Sequence, residues 1–194
     1  MKKGEFKAKY PTKLDGKLTK EYDAWRGMKR RSLDEKFKER CPAYKNVSCC
    51  DEWLNYENFY EWLHSQENFD KWYNGDKWAV DKDILVKGNK VYSPENCCLV
   101  PLSVNSLFAK GNSNKNKLPI GVNPHGTGFQ ASCSNSYNEK IYLGTYDTIE
   151  KAFYAYKDYK EKLIKEIAQI EYDKANITER CYKAMISYKV EIED

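Results

Sequence analysis

Between residues 18 and 37, Tyr22, Trp25, Met28, Leu33 and Phe37 recur at about one helical turn, broken by the run Lys29-Arg30-Arg31. That spacing predicts a helix near residues 19–31 with a cationic polar face. A denser aromatic stripe follows. Trp53, Tyr56, Phe59 with Tyr60, and Trp62 with Leu63 share one helical face, and Asp51 and Glu52 suit a first turn, so residues 51–63 read as a core helix. Residues 78–100 change period: short apolar pieces alternate with Gly88-Asn89 and Ser93-Pro94, which predicts two short strands joined by a tight turn, then a helix over 96–108. Three more β-type runs surround Val122, Gln130 and Tyr142, separated by Asn, Gly and Ser. Thr148 then caps a long amphipathic pattern through Ile149, Ala152, Phe153, Tyr156, Leu163 and Ile167. A three-strand meander packed on that helix is expected, with a further helical piece in 171–194.

The chain supports one large domain or two small ones at 194 residues, and 41% hydrophobic with 32% charged residues excludes wholesale disorder. Aromatics reach 14%, enough to build small cores from rings. No run approaches the ~18 apolar residues of a membrane span, and no apolar signal core follows Met1-Lys2-Lys3-Gly4-Glu5, so a cytoplasmic protein is expected. Seven cysteines without an export signal point to reduced thiols or a metal site rather than disulfides. Cys41, Cys49, Cys50, Cys97 and Cys98 lack the paired C-x₂₋₄-C spacing of structural zinc, so buried thiols are expected and zinc is not.

Charge changes the picture more than composition does. Residues 1–48 carry a net +8, 49–108 a net −5, 109–144 a net +3 and 145–194 a net −2. Basic blocks flanking an acidic one suit phosphate contacts around a cation-holding centre; a solubilising arm accounts equally well for the basic N-terminus. The stretch Lys110-Gly111-Asn112-Ser113-Asn114-Lys115-Asn116-Lys117 has no apolar side chain and reads as a linker. The expected organisation is a basic arm (1–20), a first module (21–109), a linker (110–118), a second module (119–170) and a helical extension (171–194).

The second module resembles the AP2-type DNA-binding domain of plant transcription factors and of phage and mobile-element endonucleases. Gly121-Val122, Phe129-Gln130-Ala131 and Ile141-Tyr142-Leu143-Gly144-Thr145-Tyr146-Asp147-Thr148-Ile149-Glu150-Lys151-Ala152 with Ala155-Tyr156 carry the match. The resemblance implies a sheet lying in the major groove of double-stranded DNA, with Asn123, His125, Gln130, Ser132, Ser134, Lys140 and Tyr142 outward. Asn123 stands where many members have Arg.

The first module is similar to phage HNH (ββα-metal) endonucleases. The match runs through Trp25 and Met28, Arg40-Cys41, Cys49-Cys50 with Glu52-Trp53, Val80-Asp81-Lys82-Asp83-Ile84-Leu85 and Ser93-Pro94-Glu95-Asn96-Cys97-Cys98. The two resemblances together imply an α+β protein, phage-encoded and acting in a bacterial host cell, that cleaves or nicks duplex DNA with Mg²⁺ or Mn²⁺. They imply Asp81 and Asn105 as metal ligands and Asn96 as the residue that orients the loop. Asp83 joins Asp81 as a second metal carboxylate, because strand alternation sends both to one face. The family's general-base His follows the Asp directly, and that place is Lys82 here, so Lys82 or a recruited water takes the role. Arg26, Lys29, Arg30 and Arg31 would engage phosphates. Three alternatives stay open: Asp81 and Asp83 as ordinary surface charges, an inactive HNH-like scaffold that still binds DNA as a phage regulator or anti-host factor, and a protein-interaction module, the last two involving a protein partner.

Overall fold

Asp15 and Gly16, at φ 49° and 78°, reverse the chain between β1 (Lys13–Leu14) and β2 (Lys17–Leu18). An Asp-Gly pair in left-handed conformation matches the twist of a two-residue hairpin. The expected basic arm is therefore an antiparallel ribbon over part of its length, with Lys13 opposite Leu18. The computed structural model describes residues 8–109, 118–135 and 139–194. It is mixed α and β with small sheets, as an α+β class requires. The chain divides into two compact units after Leu99. The predicted linker, 110–118, lies outside the described residues apart from its last position, Leu118.

In the first unit, Thr19 Oγ1 accepts from the Tyr22 N–H and opens α1 (Lys20–Leu33). After it come α2 (Glu35–Arg40), β3 (Ser48–Cys49) and a 3₁₀ turn over Asp51–Leu54. The aromatic helix α3 (Tyr56–His64) begins later than the apolar spacing predicts, because Asn55 Oδ1 accepts from Glu57 N–H and caps it there. Its inward face is Tyr56, Phe59 and Leu63, and α4 (Phe69–Asn74) adds Trp72. Met28, Val47, Trp53, Phe59, Leu63, Trp72 and Tyr92 form the core, with the Trp53 and Phe59 rings edge to face at 5.0 Å. The ring-built core expected from composition is present.

The strand pairing after α4 differs from expectation. β4 (Trp78–Asp81) pairs with β6 (Cys98–Pro101), while β5 (Val91–Tyr92) runs parallel to β3, Ser48 against Val91. Gly88-Asn89 therefore turns the chain toward a strand distant in sequence, and the helix expected at 96–108 is α5 (Leu102–Leu107), preceded by strand.

The second unit is a meander, β7 (Val122–His125), β8 (Gly128–Ser134) and β9 (Lys140–Tyr146), backed by α6 (Ile149–Asp173). Val122, Ala131, Cys133, Ala152, Phe153 and Tyr156 fill the layer between them. The C-terminal extension is a support for α6: α7 (Glu179–Ser187) buries Cys181 and Met185, Val190 enters the core, and Glu161 accepts from Val190 N–H and Lys189 Nζ at 3.0 and 3.2 Å. Among the described residues no helix is long and apolar enough to cross a membrane.

Candidate nucleic-acid interface and acidic corner

Register decides which side chains of the meander stand away from α6. Val122, Ala131 and Gly144 are cross-strand partners on the helix side, so the neighbouring row, Asn123, Gln130 and Thr145, stands on the open side. Ser132 opposite Tyr142 and Ser134 opposite Lys140 continue that face. Between Ala131 and Ser132 the register slips by one residue of β9, so Leu143 is the extra residue and turns to the core. The slip reverses the alternation beyond it: Thr145 joins the open face and Tyr146 packs inward. Thr145 is the one open-face residue that simple alternation from Tyr142 misses, and its Oγ1 lies 2.9 Å from the Tyr142 hydroxyl.

Tyr142 is 60% exposed, and Ser134, Lys140 and His125 are exposed as well. Asn123 and Gln130 are half-buried neighbours. Ser132 is buried, which removes it from the directly accessible set. The three strands contain no Asp or Glu and only one Lys, so the face is nearly neutral and rich in amide and hydroxyl groups. It suits base edges better than phosphates.

The cationic side chains of α1 divide. Arg26 and Arg30 are exposed one turn apart, Arg30 with its guanidinium 4.9 Å from the Phe37 ring centroid. Lys29 lies 4.3 Å from the Trp25 ring centroid. Arg31 is engaged inside the fold, its Nε donating to the Tyr92 phenol at 2.9 Å.

The acidic corner forms where β4 ends. Asp81 closes the strand, so alternation does not govern Asp83; instead Asp81 Oδ1 accepts the N–H groups of Asp83 and Ile84, both at 2.8 Å. The carboxylates interact, for a reason other than the one expected: a loop closes on the strand end. Burial first, then the charge of Asp83, raises the Asp81 carboxyl to about 6 against the opposing N–H bonds and Lys82. Lys82 is buried, and its ammonium donates to Asp83 Oδ2 at 3.0 Å. An amine held in that ion pair is a poor candidate for the base role. Asn89 ties the loop, donating to the carbonyls of Lys82 and Val91 at 2.6 and 2.8 Å, and Asn96 Nδ2 reaches Asn89 Oδ1 at 3.4 Å. Asn105 lies on α5, in the second unit. His64, the imidazole of the first unit, faces buried Glu21 at 3.3 Å and stacks on Tyr60.

The carboxylates as placed do not fit a divalent cation. Asp81 Oδ1 already takes two N–H donors, Asp83 Oδ2 takes an ammonium, and among the described residues no group of three or more His, Cys, Asp or Glu side chains gathers. Burial raises the Cys49 thiol to about 11 and pushes Cys97 up further, which marks them as unreactive core groups. Comparison with family models, with curated proteins and with solved structures finds no match to the chain.

Proposed function

We propose that this chain is a duplex-DNA-binding protein built on an HNH-like scaffold with an AP2-like module, and that it reads base edges with the open face of β7, β8 and β9. The observation that carries the reading is the cross-strand row Asn123, Gln130 and Thr145, flanked by exposed Tyr142, on a sheet backed by one long helix. Two adjacent amides match the donor–acceptor pair of adenine in the major groove, and a three-stranded ribbon is narrow enough to enter it. Lys140 and the Arg26 and Arg30 face of α1 supply phosphate contacts.

Gel-shift or anisotropy titration of a randomised duplex pool tests this. Gln130→Ala is expected to weaken the selected site by about tenfold and to relax its sequence preference, with thermal stability unchanged. Lys140→Ala is expected to weaken all duplexes alike and to lower the salt slope by about one. A protein that binds no duplex at ~50 mM salt, where counterion release favours association, overturns the reading.

Phosphodiester cleavage is the second reading, favoured by the buried Asp81 carboxyl, which burial raises to about 6 and which would then act in proton transfer rather than as a metal ligand. Incubation of supercoiled plasmid with the protein and Mg²⁺ or Mn²⁺, beside Asp81→Ala, tests it. Relaxation by the wild type alone supports an endonuclease; an uncut plasmid that still shifts leaves the DNA-binding reading standing.

A further inference from the structure

We propose that Lys82 is a tethered substitute for a divalent ion: its ammonium occupies the cation's place beside Asp81 and Asp83, so the wild-type corner holds no metal. Three observations carry this. The ammonium is buried and pairs with Asp83 Oδ2 at 3.0 Å, and a buried charge persists only where it is compensated. The backbone of Lys82 is fixed from outside, since Asn89 Nδ2 donates to its carbonyl at 2.6 Å and Asn96 in turn bonds Asn89. The chain thus invests side chains in placing the lysine. The ammonium is also held against a core ring, Lys82 Nζ lying 5.8 Å from the Tyr92 ring centroid. With one carboxylate oxygen already neutralised by the fixed ammonium, the pair offers too little net negative charge to compensate the dehydration of a divalent ion.

The ammonium needs no bond made or broken to act this way; it excludes the metal by charge and by occupying a carboxylate oxygen. The inference stands apart from the DNA-reading sheet, which belongs to the other unit. A protein that binds duplex but no metal would separate the two.

Mn²⁺ uptake by the full-length protein, followed by electron paramagnetic resonance of the free ion without DNA, tests the proposal. Wild type is expected to leave Mn²⁺ free up to about 1 mM, the weak end of protein cation sites. Lys82→Met removes the ammonium at similar length and is expected to take up Mn²⁺ at least about tenfold more tightly, as loss of a like charge from a partly screened site implies. Adding Asp83→Asn to that variant is expected to abolish the gain. Should Lys82→Met fail to fold by circular dichroism, Lys82→Gln carries the same comparison. Wild type binding one Mn²⁺ that Asp83→Asn removes overturns the proposal, and so does a folded lysine variant that binds no better than wild type.

Discussion

Replacing Gly121 by alanine is expected to cost the second unit about 3–4 kcal/mol, enough to displace its unfolding transition by many degrees. Gly121 has φ 80°, and a Cβ there would lie 2.0 Å from Cδ2 and 2.4 Å from Cγ of Tyr156. The left-handed conformation alone costs a non-glycine residue roughly 1–2 kcal/mol. The remainder is overpacking, because Tyr156 is buried in the layer with Val122, Ala131 and Phe153 and has no open side to move toward. Gly126 supplies the control. Its φ is 57°, but a Cβ there meets nothing within 4 Å, so Gly126→Ala is expected to show the conformational cost alone. Urea denaturation of both variants checks this; equal losses would mean that backbone conformation, not the ring, sets the requirement.

The same contact explains why the second unit was the more legible half of the chain. Gly121, Ala131 and Ala152 are small or flexible where helix and sheet approach, and Thr148 announces the start of α6, so local signals and long-range packing agree. The outward set implied by the resemblance stops at Tyr142 and omits Thr145, since a bulge is a backbone event that leaves no mark in the apolar pattern. Thr145 was lost for that reason.

In the first unit the aromatic face of α3 was readable, but its start was not. Asn55 caps the helix, whereas Asp51 and Glu52, which suit a first turn, lie in the 3₁₀ turn before it. Long-range pairing was less visible still. Nothing local tells Val91 that its partner is Ser48, because the pairing joins residues far apart in sequence. The acidic corner was half legible: the sequence places two carboxylates and a lysine together, but whether Lys82 points away or pairs with Asp83 is settled by burial, which spacing does not encode.

Asp81 gives the corner a pH signature of comparable size. In an unfolded chain its carboxyl titrates near 3.9, whereas burial raises it to about 6 in the fold. Between those values the native protein holds a proton that the unfolded chain has released, so stability falls as pH rises through that window and stays lowered above it. At 1.36 kcal/mol per pH unit the full effect is about 3 kcal/mol. Asp81→Asn keeps an Oδ1 to accept the N–H groups of Asp83 and Ile84 while discarding the desolvated charge. The variant is accordingly expected to match wild type near pH 4 and to exceed it by about 2–3 kcal/mol at pH 8, read from denaturant midpoints at the two pH values. A difference between the two proteins that does not change with pH would show that Asp81 serves only as a loop clamp.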